Sequence, residues 1–267
     1  MAASNPFNFS GGFGHMRGVT LALPSDRVRN LLPSGLELGD QSLTSPGTHP
    51  VVLYFHDMFQ AGFSIPITAS QNYHEYSMNI PFVYLSRSLL MPGCYGPYQF
   101  MVKLYLDNFG ATVLGLACFG FAKEMASIQV TTDRYTITSL TGQRFMSLTW
   151  KEEDERGGFQ PVALCANFQP IRQMVSQPLI SSVPFSVGPF FAVSDFDKNW
   201  DVATVRPLRT IVEVELSSLP GYDSGRYPST GWSPGIDESV LGSYELRVPW
   251  RLSFPYSPMM PVGRLSS

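Results

Sequence analysis

Strand-like patterning dominates this chain of 267 residues. The clearest instance is the stretch 98–106, which sets Phe100, Val102, Leu104 and Leu106 on one side and Met101, Lys103 and Tyr105 on the other. A period of two marks a strand with one face in a core. Apolar runs at 19–23, 50–59, 73–85, 128–138, 144–150, 162–168, 210–216 and 243–252 predict further strands. Residues 112–121 are almost continuously apolar, follow a turn at Asp107-Asn108-Phe109-Gly110, and read as a central, tightly packed strand. Ser139-Leu140-Thr141-Gly142 joins two strands as a hairpin. One short helix is expected to start at Ser25 or Asp26, either of which can cap a free backbone N–H. It runs through Val28, Leu31 and Leu32 and stops at Pro33-Ser34-Gly35. Stretches 151–158 and 217–237 read as exposed loops.

No repeat or linker divides the chain, and 15% of its residues are charged against 44% hydrophobic. So little solvated surface at this length points to one compact domain over residues 1–267. Its expected class is mainly β (α+β), a barrel or sheet system of mostly antiparallel strands with a few short helices. The net charge is −3 and the 18 basic residues are scattered, so the phosphate-neutralising patch of a nucleic-acid binder is missing. Cys94, Cys118 and Cys165 are odd in number and form no CxxC. That sets aside a disulfide framework and a structural zinc, and fits buried thiols in a reducing, cytoplasmic setting. The first residues lack the pattern of a secretory signal, and the most apolar interior stretch, 111–122, is too short for a bilayer.

No glycine-rich phosphate loop, GxSxG or HExxH occurs. Of the four histidines, His56 invites a metal or triad role through Asp57, but no second ligand lies at strand or helix spacing. A hydrogen-bonded, structural His56 is expected. His74, beside Glu75, reads as pocket or as surface. Lys123 is the unusual lysine, because it closes the apolar run 113–122. An ammonium there loses hydration, which lowers its pKa and frees neutral amine to attack a ketone. Spacing alone leaves a second reading open, a lysine at a strand end whose head reaches solvent.

The residues around Lys123 carry a family pattern. Tyr105-Leu106-Asp107-Asn108, then Gly115, then Phe121-Ala122-Lys123-Glu124-Met125 resemble, without a gap, the catalytic segment of the acetoacetate decarboxylase superfamily. That segment has a YLDN turn, a glycine in an alanine-rich stretch, then an aromatic residue, proline and two lysines. Lys123 falls on the first lysine, which forms the Schiff base. Leu32-Pro33-Ser34-Gly35-Leu36-Glu37-Leu38, His56-Asp57, Tyr73-His74-Glu75 and Ile80-Pro81 are similar to further family segments, in order, over roughly residues 15–255. The resemblance implies a cone-shaped β-barrel, a homo-oligomer, no metal or organic cofactor, and Schiff-base chemistry on a small-molecule keto acid. It implies catalytic roles for Lys123 and Glu75. Tyr73, Leu116 and Phe121 are expected beside the substrate, and Arg17, across a one-residue gap, is expected on its carboxylate.

Four positions depart from the pattern: Ala122 replaces proline, Glu124 replaces the second lysine, and Leu116-Ala117 replaces an Arg-Glu pair. A carboxylate facing Lys123 would raise its pKa, but adjacent strand residues face opposite ways, which puts Glu124 outside the pocket. Loss of the charged pair suits a larger or more apolar substrate, with segments 82–90 and 184–191 as aromatic walls or ordinary core. The expected reactions are decarboxylation of a 3-oxo acid, or aldol and dehydration chemistry on a 2-oxo acid. The alternative is a non-catalytic binder of an apolar small molecule on the same fold.

Overall fold

A computed structural model of the chain describes residues 9–63, 70–86, 96–152, 158–182, 191–215, 223–230 and 240–257. Its first half comprises β1 Phe9–Pro24, α1 Ser25–Arg29, β2 Leu36–Leu38, β3 Thr48–Phe63, β4 Gln71–Leu85, β5 Tyr98–Leu106, α2 Phe109–Phe119, β6 Lys123–Met125, β7 Ser127–Val130 and β8 Arg134–Thr138. There follow β9 Arg144–Glu152, β10 Gln160–Pro161, α3 Gln169–Val175, β11 Leu179–Ser182, β12 Phe191–Ser194, β13 Phe196–Lys198, β14 Thr204–Val214, β15 Gly225–Thr230 and β16 Val240–Leu252. The strands share one sheet in the order β12-β11-β5-β4-β3-β1-β16-β14-β9-β8-β7, with β2, β6, β10, β13 and β15 paired off this path. Only β5 pairs in parallel among the described strands, with β6 and β11. The mainly β class with a few short helices holds. The expected barrel does not close, because β7 and β12 end the path without pairing to each other.

The sheet fills its curl from both faces instead. Middle strands β1, β3 and β4 are buried on two sides, which is why they read as dense apolar runs. Val19, Leu53, Phe55, Tyr76 and Ile80 face one core, completed by β7, β8, β9 and β14. Met16, Tyr54, Met58, Tyr73 and Leu104 face a second core, covered by α2, α3 and β16. Each such fully buried side chain is worth about 1.5–3 kcal/mol.

Several expected elements are corrected. Of residues 112–121, 112–119 belong to helix α2 and the last two follow it, so no central strand forms here. Asn108 caps it, its Oδ1 accepting from the Ala111 N–H at 2.8 Å, and Gly120 ends it in the left-handed region at φ 68°. A continuous apolar run fits a strand or a helix equally, so the flanking Asn and Gly decide. In β5, Met78 pairs with Lys103 but Asn79 with Met101, so Val102 is an extra, bulged residue. The bulge switches faces: Phe100 and Val102 pack on the first core, Met101, Leu104 and Leu106 on the second. Pro24 takes the cap position of α1, Asp26 accepts from Arg29 within the helix, and the helix ends at Arg29, short of Leu31. Residues 162–168 form two 3-10 turns rather than a strand, closed by Cys165 N–H to Val162 O and Phe168 N–H to Cys165 O. The expected loop 217–237 contains β15, and Lys151 and Glu152 extend β9; residues 153–157, 216–222 and 231–239 lie outside the described residues. Cys118 is half-buried and Cys165 buried, both free; Cys94 lies outside the described residues.

Candidate active site

Strand register lays the site out in two rows across the second-core face. Met16, His56, Glu75 and Leu106 form one row, and Tyr54, Ser77, Leu104 and Lys123 the next. Strand β6 lies two strands from β4, roughly 10 Å between backbones, a gap into which both a lysine and a glutamate side chain reach. Lys123, Glu75, Tyr73 and Phe121 all line one cavity of about 60 Å³. These four expected site residues are therefore brought together.

Lys123 enters the cavity over helix α2. Its Nζ donates to Ala111 O at 3.2 Å. Its side chain crosses Gly115, where a Cβ would fall 2.1 Å from Cε and 2.3 Å from Nζ. Burial lowers the pKa of the amine, and the Glu75 carboxylate acts against that by raising it. Glu124 points the other way, with its side chain 55% exposed and bonded to Lys103. The alternation expected of β6 therefore keeps the extra carboxylate out of the cavity.

His56, hydrogen-bonded as expected, also lines the cavity. Its ring is stacked between Phe13 and Tyr54, at 4.6 and 5.4 Å between centroids. Its Nδ1 lies 3.2 Å from Glu75 Oε1. Tyr135, reaching in from the first core, donates to the backbone oxygens of both His56 and Glu75, at 3.3 and 3.1 Å. His56 Nε2, Ser77 Oγ, Asn79 Oδ1 and Trp250 Nε1 are buried, belong to cavity residues, and find no partner among the described residues. Buried polar atoms are nearly always paired within a protein, so unpaired ones gathered round a cavity mark a place for a ligand.

Arg17 and Leu116 are not at the cavity. Met16 takes the inward position on β1, and Arg17 lies on the opposite face, 4.0 Å over Trp150 and paired with Asp57 at 3.1 Å and Glu245 at 3.3 Å. Leu116 and Ala117 sit on the exposed side of α2, a consequence of helical rather than strand geometry. The family's charged pair is thus absent from the outside of a helix, which removes the argument for a larger pocket. Phe82 and Phe191 are core residues, whereas 87–90 and 184–190 lie outside the described residues. His74 bonds Asp107 at 2.8 Å and lines a separate cleft with Asp57. Among the described residues no cluster of potential metal ligands forms.

The structure adds a second lysine. Lys198, at the end of β13, lines the same cavity. Its Nζ donates to Val175 O at 2.8 Å and Phe196 O at 3.2 Å, and lies 3.8 Å over the Phe196 ring. Burial lowers its pKa to about 7, against the charge of Asp197. In the sequence it stands between Asp197 and Asn199 and looks like surface.

Behind Arg17, Glu245 is fully buried and bonded to His15 at 2.5 Å and Arg206 at 2.6 Å. Burial alone would raise its pKa; the His15 hydrogen bond and the charges of Arg17 and Arg206 overcome that and hold it at about 2, below an ordinary 4.5. A carboxylate depressed in this way stabilises the fold above its unfolded pKa and loses that contribution as pH falls through the folded value. The 2.5-unit difference (4.5 − 2) corresponds to about 3 kcal/mol. Glu245→Gln is expected to lower the unfolding free energy in urea by about 3 kcal/mol at pH 7, with little difference from the unmodified protein near pH 2. An equal difference at both pH values would contradict this account.

Comparison with known proteins agrees with the fold. No curated protein sequence matches the chain. An acetoacetate decarboxylase from Legionella pneumophila shares the fold with a TM-score of 0.61 at 13% identity, over 96% of this chain and 92% of that one. The enduracididine biosynthesis enzyme MppR, solved with pyruvate, has a TM-score of 0.55 at 16% identity, over 97% and 92% of the two chains. An acetoacetate decarboxylase-like enzyme from Sphingomonas wittichii has a TM-score of 0.51 at 11% identity, over 95% and 93%. The family model "Acetoacetate decarboxylase (ADC)" matches residues 6–168, more than half of the sequence. The chain belongs to the acetoacetate decarboxylase family.

Proposed function

We propose that the protein is a Schiff-base-forming lyase that acts on a small keto acid through Lys123. One observation carries this reading: a desolvated lysine amine and an oriented histidine–glutamate pair share a small, mainly apolar cavity. The volume of about 60 Å³ has room for about four to six water-sized groups at ~10–15 Å³ each, which suits a short keto acid. MppR, a fold relative, was solved with pyruvate bound.

The neutral Nζ of Lys123 attacks the carbonyl carbon, and the carbinolamine loses its hydroxyl as water to leave an iminium. The iminium nitrogen then accepts the electron pair of an adjacent breaking bond. In a 3-oxo acid that bond joins the carboxylate, CO2 departs, and the enamine takes a proton on carbon. In a 2-oxo acid a C–H proton departs instead, and the enamine carbon adds to an aldehyde. In both, water hydrolyses the final iminium and restores the amine. His56, held by Glu75, is the group that delivers and accepts these protons.

The test is borohydride reduction with a panel of 2-oxo and 3-oxo acids, followed by peptide mapping. A reduced adduct on the peptide containing Lys123 is the expected result. No adduct with any member of the panel would leave a binder of apolar small molecules on the same fold, recognised by ligand-induced stabilisation that survives replacement of Lys123. A second expectation concerns Glu75. Its carboxylate raises the pKa of Lys123, so Glu75→Gln should move the acid limb of kcat/KM, where the amine protonates, to lower pH. The same change should lower kcat/KM about 10²–10⁴-fold, because a neutral amide that can turn its NH2 towards the ring replaces the carboxylate that holds His56. An unmoved acid limb would separate Glu75 from the amine.

A further inference from the structure

Lys198 is a second buried amine in this cavity, and the reaction at Lys123 gives it no part. Along the hydrogen-bonded sheet, β5, β4, β3, β1 and β16 stand between the strands that carry the two lysines, yet both side chains line the one cavity. Two of the three Lys198 donors are taken by Val175 O and Phe196 O. Among the described residues no carboxylate bonds it; the adjacent Asp197 pairs with Arg251 at 3.0 Å. Trp250, the register partner of Lys198, also lines the cavity, and its indole N–H is buried without a partner. A buried lysine with a donor to spare, beside an unpaired N–H, is matched by an anion with two acceptor oxygens, whose charge in turn favours the ammonium.

We propose that Lys198 and the Trp250 indole N–H bind the carboxylate of the keto acid whose carbonyl Lys123 attacks. The identity of the carbonyl partner rests on the Schiff-base reading; the anion site itself rests on the Lys198 geometry. Lys198 fills the role that Arg17, facing the other side of β1, does not take. Two amines lining so small a cavity select a substrate whose ketone and carboxylate are joined by few bonds.

The experiment compares pyruvate and acetoacetate with acetone, which lacks the carboxylate, in the unmodified protein, in Lys198→Met and in Lys198→Gln. Glutamine retains a donor for Val175 O and separates loss of charge from loss of that hydrogen bond. The readouts are the concentration for half-maximal borohydride trapping and the peptide that carries the adduct. In the unmodified protein the keto acids are expected to be trapped on Lys123 at concentrations at least about tenfold lower than acetone, and both variants should lose that preference while trapping acetone as before. Variants that keep the preference, or that lose keto acid and acetone trapping in proportion, overturn the proposal, as does an adduct on Lys198. Should neither variant fold, acetylation of the unmodified protein by acetic anhydride decides. Pyruvate but not acetone should protect Lys198, and equal labelling overturns the proposal. If the unmodified protein forms no adduct on either lysine, the Schiff-base reading has failed. Equilibrium binding of pyruvate, about tenfold weaker in Lys198→Met if the proposal holds and unchanged if it does not, then tests the anion site by itself.

Discussion

Lys123→Met is expected to lower kcat about 10⁴-fold or more while raising, not lowering, resistance to unfolding at neutral pH. Methionine keeps the side chain as far as Cε but offers no amine, so the covalent route is gone. The stability change has the opposite sign for a physical reason. Burial holds the pKa of Lys123 below its ordinary 10.5, so the folded state disfavours the ammonium that the unfolded chain carries. That penalty is absent above pH 10.5, grows as pH falls from there towards the folded pKa, and stays constant below it. A neutral side chain removes it. Thermal melts at pH 7 and pH 10 should show a gain at pH 7 that shrinks at pH 10. Turnover near that of the unmodified protein, or a lower melting temperature at pH 7, would contradict the desolvated-amine account.

Gly115→Ala is expected to lower turnover and borohydride trapping about 100-fold with the helix intact. A Cβ at this position would lie within 2.4 Å of Lys123 Cδ, Cε and Nζ. The obstacle is the far end of a flexible side chain rather than backbone, so the amine moves and the helix does not. Displacement of a reacting group by about 1 Å can cost on the order of 100-fold in rate. In a helix interior, alanine is favoured over glycine by about 0.8–1 kcal/mol, so the melting temperature should hold or rise. The pair of readouts separates this from simple destabilisation, which would lower both. Full activity in the variant would mean that Lys123 reaches its position by another rotamer and that Gly115 imposes no constraint.

The strand content was legible because alternation and dense β-branched and aromatic runs report burial directly, as in β3, β4 and β5. The apolar run drew attention to Lys123 but left a solvent-reaching lysine open; the resemblance of 105–125 to the family's catalytic segment pointed to the site reading. The outward direction of Glu124 followed from strand parity alone. Helix α2 was not legible from its apolar run, since a segment apolar on every side has no period to count. Its signal lay in the capping Asn108 and the left-handed Gly120. Arg17 was carried over on the resemblance across a one-residue gap, and one residue is the difference between the two faces of β1, where Met16 and not Arg17 points to the cavity. Lys198 left no trace, because its burial comes from β16 and α3, far away in the chain, and not from its polar neighbours.

Between Gly120 and Lys123 there are two residues, and that number matters as much as the lysine. Deleting one would slide β6 by one position against β5 and turn every side chain of the strand over. Lys123 would then take the outward position that Ala122 now holds, Met125 would stand where Glu124 now meets Lys103, and the Glu124 carboxylate would enter the cavity in place of the amine. This stretch can therefore tolerate many exchanges of one side chain for another but no change in length, and a library of single-residue deletions should show a silent gap there.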